Sequence, residues 1–230
     1  MNLLAIETAT EACSVALLHG GALIDRTELA PRRHAELVLP MAEDLLAEAG
    51  MVRKQLDVIA VGQGPGAFTG VRLAISVAQG LALALDIPVI PISSLAALAM
   101  QAPKNGAPIL AAIDARREEI YAGVFRFDAD GLAEPLDRER VLSASALRLP
   151  EAEGWNVLGT GWRAYGGAIS ERLPSPPHWA DGDRYPQACD VARLAAPLFA
   201  AGKGVAPEQA LPVYLRDKVA LTLEEQVAAK

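Results

Sequence analysis

Four glycines and a proline fall within Gly62–Gly70, between the apolar run "LDVIAV" and the apolar stretch "VRLAISVAQGLALAL". A buried strand, a tight turn and a long helix in direct succession make this an α/β chain. Glycines in such a turn mean that backbone comes close to something, either a phosphate or another part of the fold. A Walker loop requires lysine after its last glycine, and Gly70 is followed by Val71. A dinucleotide fingerprint fits loosely as Gly62-x-Gly64-x-x-Ala67. The acidic residue that should end the next strand, Asp86, instead precedes it. The helix behind the turn places Arg72, Ser76, Gln79 and Leu83 on one face and is otherwise Val, Leu, Ile and Ala. A helix apolar nearly all round is either a central core helix or paired with another surface. For assembly, Gly64-Pro65-Gly66 set the turn, Phe68 plugs it against a neighbouring core and Thr69 caps the helix. A large charged residue at Ser76 or Ala78 is then expected to break docking and spare the fold.

The elements around this unit read in order. Leu3–Ile6, Cys13–His19 and Ala22–Leu29 are strands, with Gly20–Gly21 as a hairpin turn. Residues 31–50 hold a helix with Val38, Met41/Ala42, Leu45 and Ala49 on one stripe, Gly50 at its end, and Pro40 predicting a kink or a late start. Strand 57–61 precedes the glycine turn. The helix from Thr69 to Leu85, the short strand "IPVIPI" and the helix Ser93–Met100 follow. "APKNGAP", 102–108, is the clearest boundary. After it come strands 109–113 and 120–127 around "DARREE", an irregular segment, the strand "NVLG", a helix after "GTGW" and a helix near 187–201. The proline-rich stretch 173–186 reads as a surface loop. "PEQALPVYLRDK" is apolar enough to pack on the body, and "LTLEEQVAAK" reads as a fraying tail. The similar order of elements on both sides of the boundary points to two related halves.

The chain has 230 residues and a net charge of −7, so its surface as a whole does not attract a polyanion. Local basic patches such as Arg32–Arg33 and Arg116–Arg117 read as solvated turns or helix starts. Two cysteines, Cys13 and Cys189, lie far apart and form no CxxC pair. This points to a reducing, cytoplasmic setting without a zinc ribbon. "MNLLAIETATE" reads as a first strand and not a signal peptide. The polar face of the long apolar helix argues for a soluble chain with no membrane partner. His19, His34 and His178 include no pair at metal-ligand spacing, and there is no GxSxG elbow. His34 reads as a cap, surface or interface residue.

"LLAIETATEACSVAL", "GQGPGAFTGVRLAISVAQGLA", "IDARREEIY" and "LPVYLR" together resemble the TsaB (YeaZ) family, bacterial partner proteins in making threonylcarbamoyladenosine on tRNA. The resemblance covers most of the chain. It implies an α/β fold of the actin/Hsp70/sugar-kinase superfold, with two RNase-H-like lobes of mixed sheets flanked by helices, residues 1–103 and 104–230. It also implies a chain with no catalytic residue and no metal, which binds and activates a metal-carrying TsaD-type transferase. A TsaE-type small ATPase joins the assembly, tRNA is met through the complex, and a weak homodimer uses the same face. The residues expected at that face are His34, Leu37, Val38, Met41 and Leu45 on the first helix, and Thr69, Arg72, Ser76, Gln79 and Leu83 on the second. The catalytic paralogue holds its metal with two histidines four apart, and Ser94 and Leu98 stand at those places here. In the superfold, Glu7, Thr8, Thr10, Gly64 and Gly66 would approach a nucleotide. The second phosphate hairpin is the bulky, charged 114–118, so no cofactor of the chain's own is implied, and ATP or ADP shared with the partner complex stays open. "GTGWRAYGG" sits where the superfold's adenosine-side glycines lie, although a strand–helix turn explains it without a ligand. The alternatives are a homodimeric binding module, or a metal-dependent hydrolase or kinase of the same superfold.

Overall fold

In the computed structural model, which describes residues 1–152 and 154–216, the chain builds one strand order twice. The first sheet runs β3-β2-β1-β4-β5, from β1 (Asn2–Glu7), β2 (Ala12–His19), β3 (Ala22–Leu29), β4 (Val58–Gly62) and β5 (Val89–Ile92). β1 pairs antiparallel with β2 and parallel with β4. The second sheet runs β11-β10-β6-β7-β8, from β6 (Ile109–Arg116), β7 (Glu119–Phe127), β8 (Ala133–Pro135), β10 (Asn156–Leu158) and β11 (Trp179–Asp181), and β9 (Arg140–Ser143) also pairs with β7. β6 likewise pairs antiparallel with β7 and parallel with β10. Each lobe is thus a hairpin continued on one side by parallel strands, the RNase-H-like plan.

Both central strands are apolar without alternation because both of their faces are covered. On the first sheet Leu4 and Ile6 face α1 (His34–Glu48) and α2 (Phe68–Leu85), where they meet Val38, Leu45, Ala74 and Ala78. Leu3 and Ala5 face the opposite way, against Val191, Ala192 and Ala195 of α5 (Ala188–Ala200). On the second sheet Leu110 and Ala112 pack with Trp155 and with Ile169 of α4 (Thr160–Ser170). Ile109, Ala111 and Ile113 pack with Leu95 and Leu98 of α3 (Ser94–Ala99). α2 is long and apolar enough to cross a membrane by length and composition. In this fold it covers β4 and β1.

The helices that follow the last strand of each sheet are exchanged. α3 leaves β5 and covers the second sheet, α5 leaves β11 and covers the first, and the two helices lie against each other. This corrects the division at 103/104. The two sheets do separate there, but α5 belongs to the first core because its alanines and Val191 fill the face that Leu3 and Ala5 present. Two further readings change, and the late start expected for the first helix is found. Thr69 is no cap: α2 starts one residue earlier, behind Ala67, with no side-chain capping bond. Phe68 plugs nothing, being 49% exposed. Pro40 lies inside an α1 that starts late, at His34, and runs on to Glu48. The strands β8, β9 and β11, the last within the proline-rich stretch, went unread because three or four residues carry no usable period. "LTLEEQVAAK" lies outside the described residues.

Asp190, in the first turn of α5, is 2% exposed and paired with Arg193 at 2.7 Å. Burial outweighs that pairing and pushes its carboxyl up to about 6 from 3.8. A carboxyl whose folded pKa is raised holds its proton more tightly in the folded state, so stability falls as pH rises from about 3.8 to about 6 and is level above that. Asp190→Asn is expected to flatten that slope and to be the more stable protein at pH 7, by on the order of 1–3 kcal/mol. Urea denaturation from pH 4 to 7 checks this; an unchanged slope would contradict the assignment.

Candidate partner face and inter-lobe cleft

The chemistry begins with Glu7 at the end of β1. Its side chain is 0% exposed. Oε1 accepts from the Ala9 N–H at 2.6 Å and Oε2 from the Ser94 hydroxyl at 2.7 Å. Burial raises its pKa, and the bonds from Ser94, Ala9 and Thr8 work against that rise. A Cβ placed on Gly62 would sit 2.0 Å from Oε2, so the glycine turn seals the carboxylate from that side. Thr8 is also fully buried, and its hydroxyl donates to the Gly70 carbonyl at 2.7 Å. Neither residue reaches solvent, which corrects their assignment to a nucleotide cleft. They are the joint between β1, the glycine turn and α3.

The glycine turn is filled by the protein itself. The Ala67 N–H donates to the Ala9 carbonyl at 2.7 Å. A Cβ at Gly66 would lie 2.3 Å from that same oxygen, and one at Gly70 would lie 2.1 Å from the Thr8 carbonyl. Gly64, at φ +92, faces Val71 and the Val213 carbonyl. These glycines let the β1–β2 turn and the C-terminal segment press against α2. Of the five residues read as a nucleotide cleft, only Thr10 and Gly66 line a cavity.

That C-terminal segment is a strap, and the described part of "PEQALPVYLRDK" packs on the body as its apolar residues predict. Val205 bridges to Val89, the Ala210 carbonyl accepts from Gln79 Nε2 at 3.1 Å, and Val213 N–H donates to the Gln63 carbonyl at 2.9 Å. Tyr214 stacks on Phe68 with ring centroids 5.9 Å apart and accepts from Arg72 Nε at 2.6 Å. The Arg72 guanidinium lies 3.6 Å above the Phe68 ring. Arg216 then crosses to the second lobe, onto Glu119 and the Ala115 carbonyl.

On the two helices expected to meet a partner, Thr69, Arg72, Ser76 and Leu83 are exposed, Leu83 at 72%, while His34, Leu37, Met41 and Gln79 are half-buried. Val38 and Leu45 are corrected: at 1% and 0% exposure they are core, as is Ala78, since the stripe they share points at Leu4 and Ile6. Leu39, exposed at 44%, and the groove it lines with Leu46, Leu81 and Leu85 were missed. Its place off the core stripe of α1 was the available signal.

A cleft of about 510 Å³ lies between the lobes, lined by Thr10, Glu11, Arg32 and His34 from the first lobe and by Asp114, Arg116 and Arg117 from the second, with Tyr214 and Arg216 of the strap. Arg116 bridges the lobes, 3.2 Å from Glu11 and 2.9 Å from Asp114. Among the described residues no group of three His, Cys, Asp or Glu stands at metal-ligand geometry.

With this geometry in view, comparison with known proteins decides the family. The family profile described as "TsaD: tRNA N6-adenosine threonylcarbamoyltransferase" matches residues 26–158. The Escherichia coli tRNA threonylcarbamoyladenosine biosynthesis protein TsaB is 43% identical over 96% of both chains. The chain belongs to the TsaB (YeaZ) family. The Haemophilus influenzae TsaB is 37% identical over 95% of both chains. The solved structure of YeaZ from Pseudomonas aeruginosa superposes with a TM-score of 0.86 at 47% identity, covering 93% of this chain and 99% of that one. The doubled sheet order is that of the actin/Hsp70/sugar-kinase superfold, as the resemblance implied. Within a TsaB-family chain, Ser94 and Leu98 acquire a specific meaning. Ser94 is spent on Glu7, and Leu98 is 0% exposed in the second core. Next to Ser94, Ser93 caps α3 and donates to Glu139.

Glu7 as a structural joint predicts a split. Glu7→Ala strands buried donors and should cost about 2–3 kcal/mol, whereas Glu7→Gln keeps an acceptor and should stay within about 1 kcal/mol of the parent. Urea denaturation of both variants is the check. A Glu7→Ala protein as stable as the parent would contradict the structural role of the carboxylate.

Proposed function

We propose that this chain is a non-catalytic subunit that binds and activates a TsaD-type, metal-carrying transferase, which moves a threonylcarbamoyl group onto the tRNA adenosine beside the anticodon. One observation carries the reading: where the resemblance places two metal-ligating histidines, this chain has a serine tied to Glu7 and a leucine inside a core. A profile named for the transferase matches more than half of the chain, yet those two positions hold no metal-ligating residue. The chain holds no cofactor of its own, and any adenine nucleotide is held by the partner complex, which includes a small TsaE-type ATPase, or shared with it. The α1–α2 surface, with Leu39, Ser76 and Leu83 outward, is the docking face. A weak homodimer through this face is a competing, dissociable state, because one surface serves one partner at a time. The setting is the bacterial cytoplasm, where tRNA is modified.

The test is threonylcarbamoyl transfer to unmodified tRNA with transferase, ATPase and this chain together, then with each omitted. Product is expected only with the transferase present, and multiple turnover only with this chain added. Product from this chain alone would overturn the assignment, and full turnover without it would favour the binding-module alternative. Ser76→Glu is expected to leave the melting temperature unchanged and to lower partner affinity at least tenfold in sedimentation. Ala78→Glu should instead unfold the first lobe, since a charge would replace a methyl group that is 0% exposed.

A further inference from the structure

Arg32 and the Arg116–Arg117 pair, distant in the sequence, converge in space. Arg32 stands on the first-lobe lip of the inter-lobe cleft, Arg116 and Arg117 on the second, and Arg216 arrives on the strap. Four guanidinium groups therefore surround one recess in a chain of net charge −7, and the carboxylates lining it are Glu11 and Asp114. Those two are occupied with Arg116, and Arg216 is held by Glu119. Among the described residues, neither Arg32 nor Arg117 forms an ion pair.

Backbone geometry sets these two arginines apart from ordinary solvated side chains. Arg32 is held at φ 70 and Arg117 at φ 55, the left-handed region where glycine or asparagine normally stands. Arg117 and Glu118, φ 62, are the two central residues of the β6–β7 turn, which in such hairpins are usually Asn-Gly. Strain retained at exposed side chains points to function. The floor of the recess points the same way. Thr10 is 7% exposed and its hydroxyl oxygen has no hydrogen-bond partner, and His34 Nε2 has none either. The N-termini of α1, 15 residues long, and α2, 18 residues long, open at the same recess through His34 and Ala67, neither with a side-chain cap. The Thr10 hydroxyl and the two helix N-termini are satisfied by an acceptor-rich anion, as is His34 when its Nε2 carries the proton.

We propose that this cleft seats sugar-phosphate backbone of the tRNA directly, with Arg32 and Arg117 contacting phosphates from opposite lips and the Thr10 hydroxyl donating at the floor. The proposal rests on the subunit role above and adds a contact to it. Exposed arginines on two separate lips suit phosphates spaced along a strand. Ala9, Pro31, Pro65, Val71 and Ile113 add apolar wall between the two lips.

The test uses the assembled complex of this chain with its transferase and unmodified tRNA, comparing the parent with Arg32→Gly/Arg117→Gly. Glycine relieves the left-handed backbone, so a purely structural role for the arginines predicts equal or higher stability and unchanged tRNA binding. We expect a melting temperature no lower than the parent's and unchanged assembly by sedimentation. Weaker tRNA binding is expected, with the slope of log affinity against log salt reduced by about one to two. Thr10→Val should weaken tRNA binding without altering that slope. Failure of the parent complex to assemble would overturn the subunit role itself. Assembly with unaltered tRNA affinity and slope would overturn only the tRNA contact. Binding of pyrophosphate by this chain alone, lost in the double variant while tRNA binding by the complex is unchanged, would also overturn it and make the cleft a small-anion seat.

Discussion

The exchange of α3 and α5 between the two sheets is the constraint on which the rest of the molecule depends. Each sheet has one face covered by the helix that follows the other sheet's last strand: α5 returns to the first sheet, and α3 passes on to the second. Leu95 and Leu98 are buried only if the second sheet is present, and Val191 and Ala195 only if the first is. Truncating side chains of this kind to alanine typically costs about 2–5 kcal/mol for leucine, a sizeable share of a domain's stability of about 5–15 kcal/mol. The two lobes are therefore cooperative partners, and the cleft between them keeps a defined width.

Glu7 and the glycine turn follow from that exchange. Ser94, which starts α3, must sit beside the end of β1, and there it meets the Glu7 carboxylate. In this superfold the residues after the first strand are placed to meet phosphate. Here they meet the protein: Glu7 faces Ser94 and Gly62, Thr8 faces Gly70, and Ala9 faces Ala67. The polar chemistry of the strand end is consumed in holding the joint. What stays open to solvent is the outward side of α1 and α2 and the arginine-lined cleft at their N-termini.

The strap adds a second level of organisation. By placing Tyr214 beside Phe68 and Arg72, and the Ala210 carbonyl on Gln79, it occupies part of the surface that helix periodicity assigns to a partner. A partner docking near the start of α2 meets a composite of helix and strap. Farther along the helix, Ser76 and Leu83 are left uncovered. Arg216 carries the strap onto the β6–β7 hairpin, so the strap links the start of α2 to the cleft.

Much of this was legible in the sequence, and for a local reason. The long strands and helices are apolar runs fenced by turn residues, the boundary has its proline and glycine, and the family motifs are contiguous. That residues 94 and 98 are a serine and a leucine, neither of them histidine, needs only the sequence. Which side of a helix faces inward was harder, because α2 is apolar nearly all round, and Ala78 and Ser76 differ in burial only through the strands beneath them. Tertiary structure alone decided that α5 returns to the first lobe, that Glu7 is sealed, and that Arg32, Arg116, Arg117 and Arg216 share one cleft. Those facts are contacts between residues distant along the chain. No periodicity encodes them, because they depend on how two sheets, each correct in itself, are held against each other by exchanged helices.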